Sequence, residues 1–455
     1  MFKGIENTQN KILKMTAKKV LLITYSFPPK GGPGVQRNLK FVKYFPEFGW
    51  KPFVLTSKDL FYPVKDYDLL KEIPSTAVII RTETLDPLRI FYLLKLFISK
   101  IKKSKKNELA KDVKKVAVNE SSLFYKIYRL IRRWFFIPDS AILWLPFALW
   151  KGYFLVKREK IEVLIGSCPG PSSLILAYLL AKLTGTRFVF DFRDGWTDYP
   201  YNDYPTKFHK RINALLEKWI IPKADKLIVF GEFLTNIYSS KYNLPKDKFI
   251  EISNGFDPAD FEHLPKKNNV DNRIRIVHSG NVMEFRKAVF ENLVKAVKQL
   301  PEEFLNKICF DFIGNVNEAS VELVKEMNLE SVFTFYGYHS HHEALQYLGQ
   351  ADATLILLPE GDFAAVTGKV FEYVAIGKTI ISIAEPQGGC SKLVASINSI
   401  KTTAHPDNIQ EIIAVLKNCI ENEFPTLKID IIEKYSRKNH TRIMADVLNE
   451  LIKHD

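Results

Sequence analysis

Cysteine is scarce: 455 residues hold four, Cys168, Cys309, Cys390 and Cys419, none in C-x-x-C spacing. That excludes a disulfide-built scaffold and a metal knuckle, and it suits a reducing compartment. Long apolar runs are lacking as well. The nearest approach is 135–156, which Pro138, Asp139, Pro146 and Lys151 interrupt, so no spanning helix is expected. No apolar signal core opens the chain; residues 1–18 read as a loose, basic tail, with Met15 as an alternative start. Acidic residues fall short of basic ones, 51 against 65, for a net charge of +14. What remains, 46% hydrophobic and 25% charged, is the composition of a globular protein, and the length calls for two domains.

The acidic deficit is local. Residues 88–160 hold 18 lysines and arginines against 5 acidic residues. Helical spacing there gives two apolar faces, one with Ile90, Leu94, Phe97 and Ile101, the other with Phe124, Ile127, Tyr128, Ile131, Trp134 and Phe135. Lys126, Arg129, Arg132 and Arg133 surround the second. Basic heads around aromatic faces fit an anionic membrane surface, on which the protein would lie without crossing. A core-packing helix with a solvated basic face is the plainer reading. No recognised module supports binding of nucleic acid, and none is expected.

Both halves alternate strands and helices. Strands are expected at 20–24, 52–56, 77–80, 163–166, 188–192, 226–230 and 249–252, then at 273–277, 308–313, 332–336, 353–358 and 379–383. Such alternation predicts an α/β fold, two doubly wound Rossmann-like domains with ligands beyond the carboxyl ends of their strands. The expected organisation is a tail (1–18), a first domain (19–258) containing the basic segment, a second domain (259–428) and a terminal helix (429–455) crossing back. The polar stretch 265–272 is the linker.

Four segments carry candidate chemistry. The first loop, from Pro28 to Arg37, contains Gly31, Gly32 and Gly34 between a strand and a helix, which brings backbone close to a ligand. It is not a dinucleotide fingerprint, because Arg37 stands where the third glycine belongs, and it is no P-loop. The second loop, His278-Ser279-Gly280-Asn281, precedes Arg286 and Lys287, cations suited to a leaving diphosphate. In Asp191-Phe192-Arg193-Asp194, two carboxylates flank an arginine at a strand end, placed to bind an acceptor hydroxyl or to form a salt-bridged corner. Finally, Thr367-Gly368-Lys369 opens a short helix, with Lys369 and Glu372 three apart on one face; phosphate at the helix start and a diol on the carboxylate would suit a nucleotide, and a surface ion pair is the bland alternative. Two metal-like strings have simpler readings: Ser340 and Glu343 in His339-Ser340-His341-His342-Glu343 have capping-box spacing, and Asp66-Tyr67-Asp68 reads as a solvated turn.

Together these segments resemble the retaining glycosyltransferases of family 4, which have the GT-B fold, two Rossmann-like domains facing a central cleft. The resemblance runs over roughly 18–396 and rests on Phe27-Pro28-Pro29 with Gly31-Gly32, Asp191 to Asp194, Ile252-Ser253-Asn254-Gly255-Phe256-Asp257, and Thr367 to Ala375. It implies transfer of a sugar from a nucleotide donor to a hydroxyl of a glycan or lipid-linked acceptor, with no cofactor and no metal. It further implies polysaccharide synthesis at the cytoplasmic, inner face of the plasma membrane. By it, Glu372 would hold the donor's ribose, Gly31 and Gly32 would approach its diphosphate or sugar, and Lys287 would neutralise the diphosphate. Arg193, Asp194 and Arg286 complete the catalytic set, and Gly280, Asn281, Gly368 and Lys369 the donor site. Three positions depart from the family pattern: Ala364 stands where a second glutamate is frequent, Asn281 where an arginine is, and Arg193 where a histidine is. A nucleotide-sugar 2-epimerase or a non-catalytic docking subunit would share the fold.

Overall fold

The computed structural model describes residues 17–31, 33–58, 66–85, 133–168, 170–198, 204–265, 273–362 and 366–453. Gly32, Ala364, the apolar face at 90–101 and residues 124–132 of the second face lie outside them, whereas Arg133, Trp134 and Phe135 lie within. The chain forms two compact units, divided after Ser253, and it returns to the first unit at His440.

In the first unit, β1 (Lys18–Ile23), β2 (Trp50–Ser57), β3 (Val78–Thr82), β4 (Val163–Cys168), β5 (Arg187–Phe192), β6 (Lys226–Val229) and β7 (Phe249–Glu251) form one sheet in the order β3-β2-β1-β4-β5-β6-β7. Every pairing is parallel. Both faces are covered, which is why these strands are continuous apolar runs. Leu21 and Ile23 face one core, with Phe53, Leu55 and Trp144, while Val20 and Leu22 face the other, with Phe45 and Trp50. Met444, Ala445, Val447 and Leu448, from the end of the chain, fill that second core, and Lys18 Nζ donates to Asn449 Oδ1 at 2.8 Å.

The second unit contains β8 (Ile274–Ser279), β9 (Ile308–Ile313), β10 (Phe333–Gly337), β11 (Ala353–Leu357), β12 (Thr379–Ile383) and β13 (Thr403–Ala404), ordered β10-β9-β8-β11-β12-β13 and again all parallel. The two-residue strand β13 is too short to leave a periodic signal, so sequence reasoning did not find it. The helix Ile429–Lys434 stays with this unit, whose Tyr435 packs on Phe371 with ring centroids 5.5 Å apart. The return therefore starts eleven residues later than the expected 429.

Both sheets are doubly wound. Strand order reverses between β1 and β4 in one and between β8 and β11 in the other. Loops at such reversals diverge and leave a crevice beyond the strand ends. The glycine loops follow β1 and β8.

Candidate active site

In the second unit the site is built where β8 ends. Gly280 there has φ +145°, and Gly314, across from it, has φ +141°. Neither position tolerates a side chain: a Cβ on Gly314 would sit 2.5 Å from the Gly280 carbonyl oxygen, and one on Gly280 would land on Lys369 Nζ. The helix Gly368–Ile376 begins after the β11 loop, buries Val370, Phe371, Tyr373 and Val374, and ends at Gly377 with φ +73°. Thr367 gives its N-terminus no side-chain cap, and no acidic residue stands in its first turn, so the first N–H groups keep their capacity for an anion.

Lys369 and Glu372 each take another partner. Lys369 turns inward and donates to the carbonyl of Ser279. Burial, reinforced by the charge on Arg286 and opposed by Glu372, pushes its pKa down to about 8. Glu372 Oε1 lies 3.1 Å from His341 Nε2. His341 opens the helix His341–Gly349, whose N-terminus is closed by the expected Ser340–Glu343 capping box.

Around Lys369 the polar groups converge. Tyr373 is buried, and its hydroxyl accepts from the N–H of Ser279 at 2.8 Å; burial raises its pKa well out of the working range. His278 Nδ1 lies 2.9 Å from the Leu355 carbonyl and must carry the proton to bond with it. Burial holds the pKa of this imidazole down near about 3, so it is neutral, and its Nε2 is buried without a partner. Arg286 Nη1 donates to the Asn281 carbonyl at 3.0 Å, while its Nε is likewise buried and unpaired. His278, Arg286, Thr367, Lys369 and Tyr373 thus line one pocket, with Leu355, Ile356 and Leu357 as its apolar wall. Two cations at a helix start, with unspent hydrogen-bonding capacity, can hold a diphosphate and stabilise its growing charge as it leaves.

Lys287 does not line this pocket. It opens the helix Lys287–Lys298 and lies 3.9 Å from Glu291 one turn on. The cation that lines the pocket beside Arg286 is Lys369, whose Nζ occupies the space above Gly280. Asn281 acts through its backbone and through its Oδ1, which accepts from Asn315 N at 2.9 Å.

In the first unit Gly31 lies in the loop after β1, just before the helix Pro33–Tyr44. Arg193 and Asp194 follow β5 with Nε and Oδ2 3.6 Å apart, both partly exposed and open to solvent or substrate. Asp191 has a different role from its neighbours. It is buried, and the guanidinium of Arg37 grips it at 2.7 to 3.1 Å while donating to the carbonyls of Ile252 and Ser253. Asp66 and Asp68 form a turn, Asp66 Oδ1 accepting from Asp68 N at 3.1 Å and Asp68 pairing with Lys71 at 2.7 Å.

Residues 109–260 match the model of Glycosyltransferase Family 4. That match spans about a third of the chain. The fold is GT-B, and solved structures share it along almost the whole chain. A glycosyltransferase from Rickettsia africae aligns with TM-score 0.58 at 14% identity, covering 96% of this chain and 99% of its own. Sucrose-phosphate synthase from Thermosynechococcus elongatus aligns with TM-score 0.56 at 14% identity, covering 96% and 100%. A UDP-N-acetylglucosamine 2-epimerase described from Listeria monocytogenes aligns with TM-score 0.52 at 11% identity, covering 96% and 98%. No curated protein matches this chain.

Proposed function

We propose that this glycosyltransferase moves a sugar from a nucleotide-sugar donor to a hydroxyl of a glycan or lipid-linked acceptor in cell-surface polysaccharide synthesis, at the inner face of the plasma membrane. The observation that carries the reading is the convergence of Arg286 and Lys369 on one pocket at the start of the helix Gly368–Ile376. The donor's diphosphate would sit there, and Glu372, one turn along the same helix, would leave His341 to accept from the ribose hydroxyls. The bond between the anomeric carbon and the diphosphate breaks as the acceptor oxygen bonds to that carbon from the same face, with retention. The acceptor proton passes to the departing phosphate oxygen. The electron pair left on the diphosphate meets Arg286, Lys369 and the helix N–H groups, which do the work that a divalent metal would otherwise do. Arg193 and Asp194 are assigned to the acceptor.

The family match favours transfer over 2-epimerisation, a reaction that would consume donor alone. The test is release of free nucleotide from a panel of nucleotide sugars with and without lipid-linked acceptor. Acceptor-dependent release with a new glycosidic bond is expected; conversion of donor in the absence of acceptor would overturn it.

A further inference from the structure

One helix of the first unit pairs a partly polar buried face, on which Ile220 and Leu216 meet the core, with large apolar side chains on its surface. The helix Lys207–Ile220 buries His209, Asn213 and Glu217 and turns Phe208, Leu215 and Trp219 to the surface, Phe208 being 63% exposed. Its buried polar groups are satisfied. His209 Nδ1 meets Thr206 Oγ1 at 2.8 Å, Asn213 Oδ1 accepts from Trp196 Nε1 at 2.8 Å, and Glu217 lies 3.0 Å from Lys241 Nζ. The polar interior is therefore designed, and the apolar exterior still needs a reason, since large exposed apolar faces mark contact surfaces.

The charges on the same surface have one sign. Lys207, Lys210, Arg211 and Lys218 are exposed on this helix, and its one carboxylate, Glu217, is the buried one. The helix Leu145–Glu159 repeats the composition: Trp150, 72% exposed, and Phe154 stack edge to face at 5.0 Å between exposed Lys151 and Lys157. Its carboxylate, Glu159, is held by Arg158 at 2.9 Å. Both helices pack on the helix Pro171–Thr184, which ends in exposed Lys182 and Leu183.

We propose that these helices form a docking face for the surface of an anionic lipid bilayer. Aromatic and aliphatic side chains would enter the headgroup boundary, and the surrounding lysines and arginines would pair with acidic headgroups. Charge complementarity selects this partner: a face with only positive exposed charges matches an acidic surface, and rings that flank those charges match the apolar layer beneath it. A spanning role is not implied, because among the described residues no helix is long and apolar enough to cross a membrane. The inference gives the proposed function its membrane partner but rests on surface residues alone, so vesicle binding can succeed or fail independently of sugar transfer.

The experiment is sedimentation of the full chain with phosphatidylcholine vesicles, with and without phosphatidylglycerol, at low and high salt. Binding is expected only with the acidic lipid. Lys210→Glu/Arg211→Glu should reduce partitioning by at least about tenfold, and Phe208→Ser/Leu215→Ser should leave a bound fraction that salt removes completely. In the parent, bromine-labelled lipid should quench tryptophan fluorescence, and Trp150→Phe should diminish that quenching. Parent protein that ignores acidic vesicles, or folded variants that bind like the parent, would overturn the proposal. So would a duplex oligonucleotide that binds the parent, loses affinity with these variants and does not compete with vesicles.

Discussion

The ammonium of Lys369 occupies the space that a side chain on Gly280 would fill, while donating to the carbonyl of Ser279. Loop and helix are thereby set as one piece. The absence of a Cβ at residue 280 admits the cation, and the cation fixes the loop. Gly280→Ala should expel Lys369 and strain a backbone at φ +145°. The expected outcome is donor affinity weaker by about tenfold or more, as for the loss of one charged partner, with the fold retained by circular dichroism.

The two lysines nearest the glycine loop make a discriminating pair. Lys369→Met removes a cation from the pocket and should lower kcat/KM by about 10²-fold or more. Lys287→Met removes a lysine whose neighbour is Glu291 on the helix surface, and should change it by no more than about twofold. The reverse ranking would reinstate Lys287 as the diphosphate ligand.

The acidity of Lys369 gives two pH dependences of opposite sense. Its folded pKa, about 8, lies below its ordinary 10.5. Below about pH 8 the lysine is charged in both folded and unfolded chains and contributes no slope. Between about 8 and 10.5 the unfolded chain binds more protons, so this group makes stability rise with pH. Chemical denaturation across that window should show the parent gaining on Lys369→Met. Affinity for a nucleoside diphosphate should fall over the same window, because the pocket loses a charge. Calorimetric titration at constant ionic strength would measure it, and a flat profile would place the lysine elsewhere.

Glu372 should matter through the nucleotide. Glu372→Ala is expected to cut transfer by at least about tenfold, chiefly through KM for the donor. His341→Ala leaves Glu372 without its present partner and should spare transfer, since the ribose replaces that partner. Steady-state kinetics with varied donor separates the two.

How far the sequence carries depends on whether a feature is local. Parallel strands buried on both faces are continuous apolar runs, so twelve of the thirteen among the described residues could be placed to within a residue or two; β13, with two residues, escaped. The helix start at Gly368 and the Ser340 capping box are likewise written in adjacent residues. Which cation enters the pocket is not, because Lys287 and Lys369 differ in side-chain direction rather than in setting. The roles of His278 and Tyr373 were missed for the same reason: both are apolar-looking positions in buried elements whose polar tips meet only after folding. The helix Lys207–Ile220 shows a clear period, yet it buries His209, Asn213 and Glu217 beside Ile220 and leaves Phe208, Leu215 and Trp219 exposed.

Arg37 is the clearest case of a long-range role. In the sequence it marks only the failure of a dinucleotide fingerprint, and its partner Asp191 lies 154 residues away. In the fold, both side chains are buried, with two nitrogens of the guanidinium on the carboxylate and the same group holding the Ile252 and Ser253 carbonyls at the point where the first unit ends. Removing Asp191 strands the buried charge of Arg37, at a cost of about 3–5 kcal/mol, while the Ile252 and Ser253 carbonyls keep their donor. Asp191→Ala should therefore lower the unfolding midpoint of the first unit sharply. Arg37→Met/Asp191→Leu, which removes both charges, should recover much of that loss, although the two carbonyls keep part of it. A double variant no more stable than Asp191→Ala would show that Arg37 acts mainly through the chain exit at Ile252 and Ser253, and not through the ion pair.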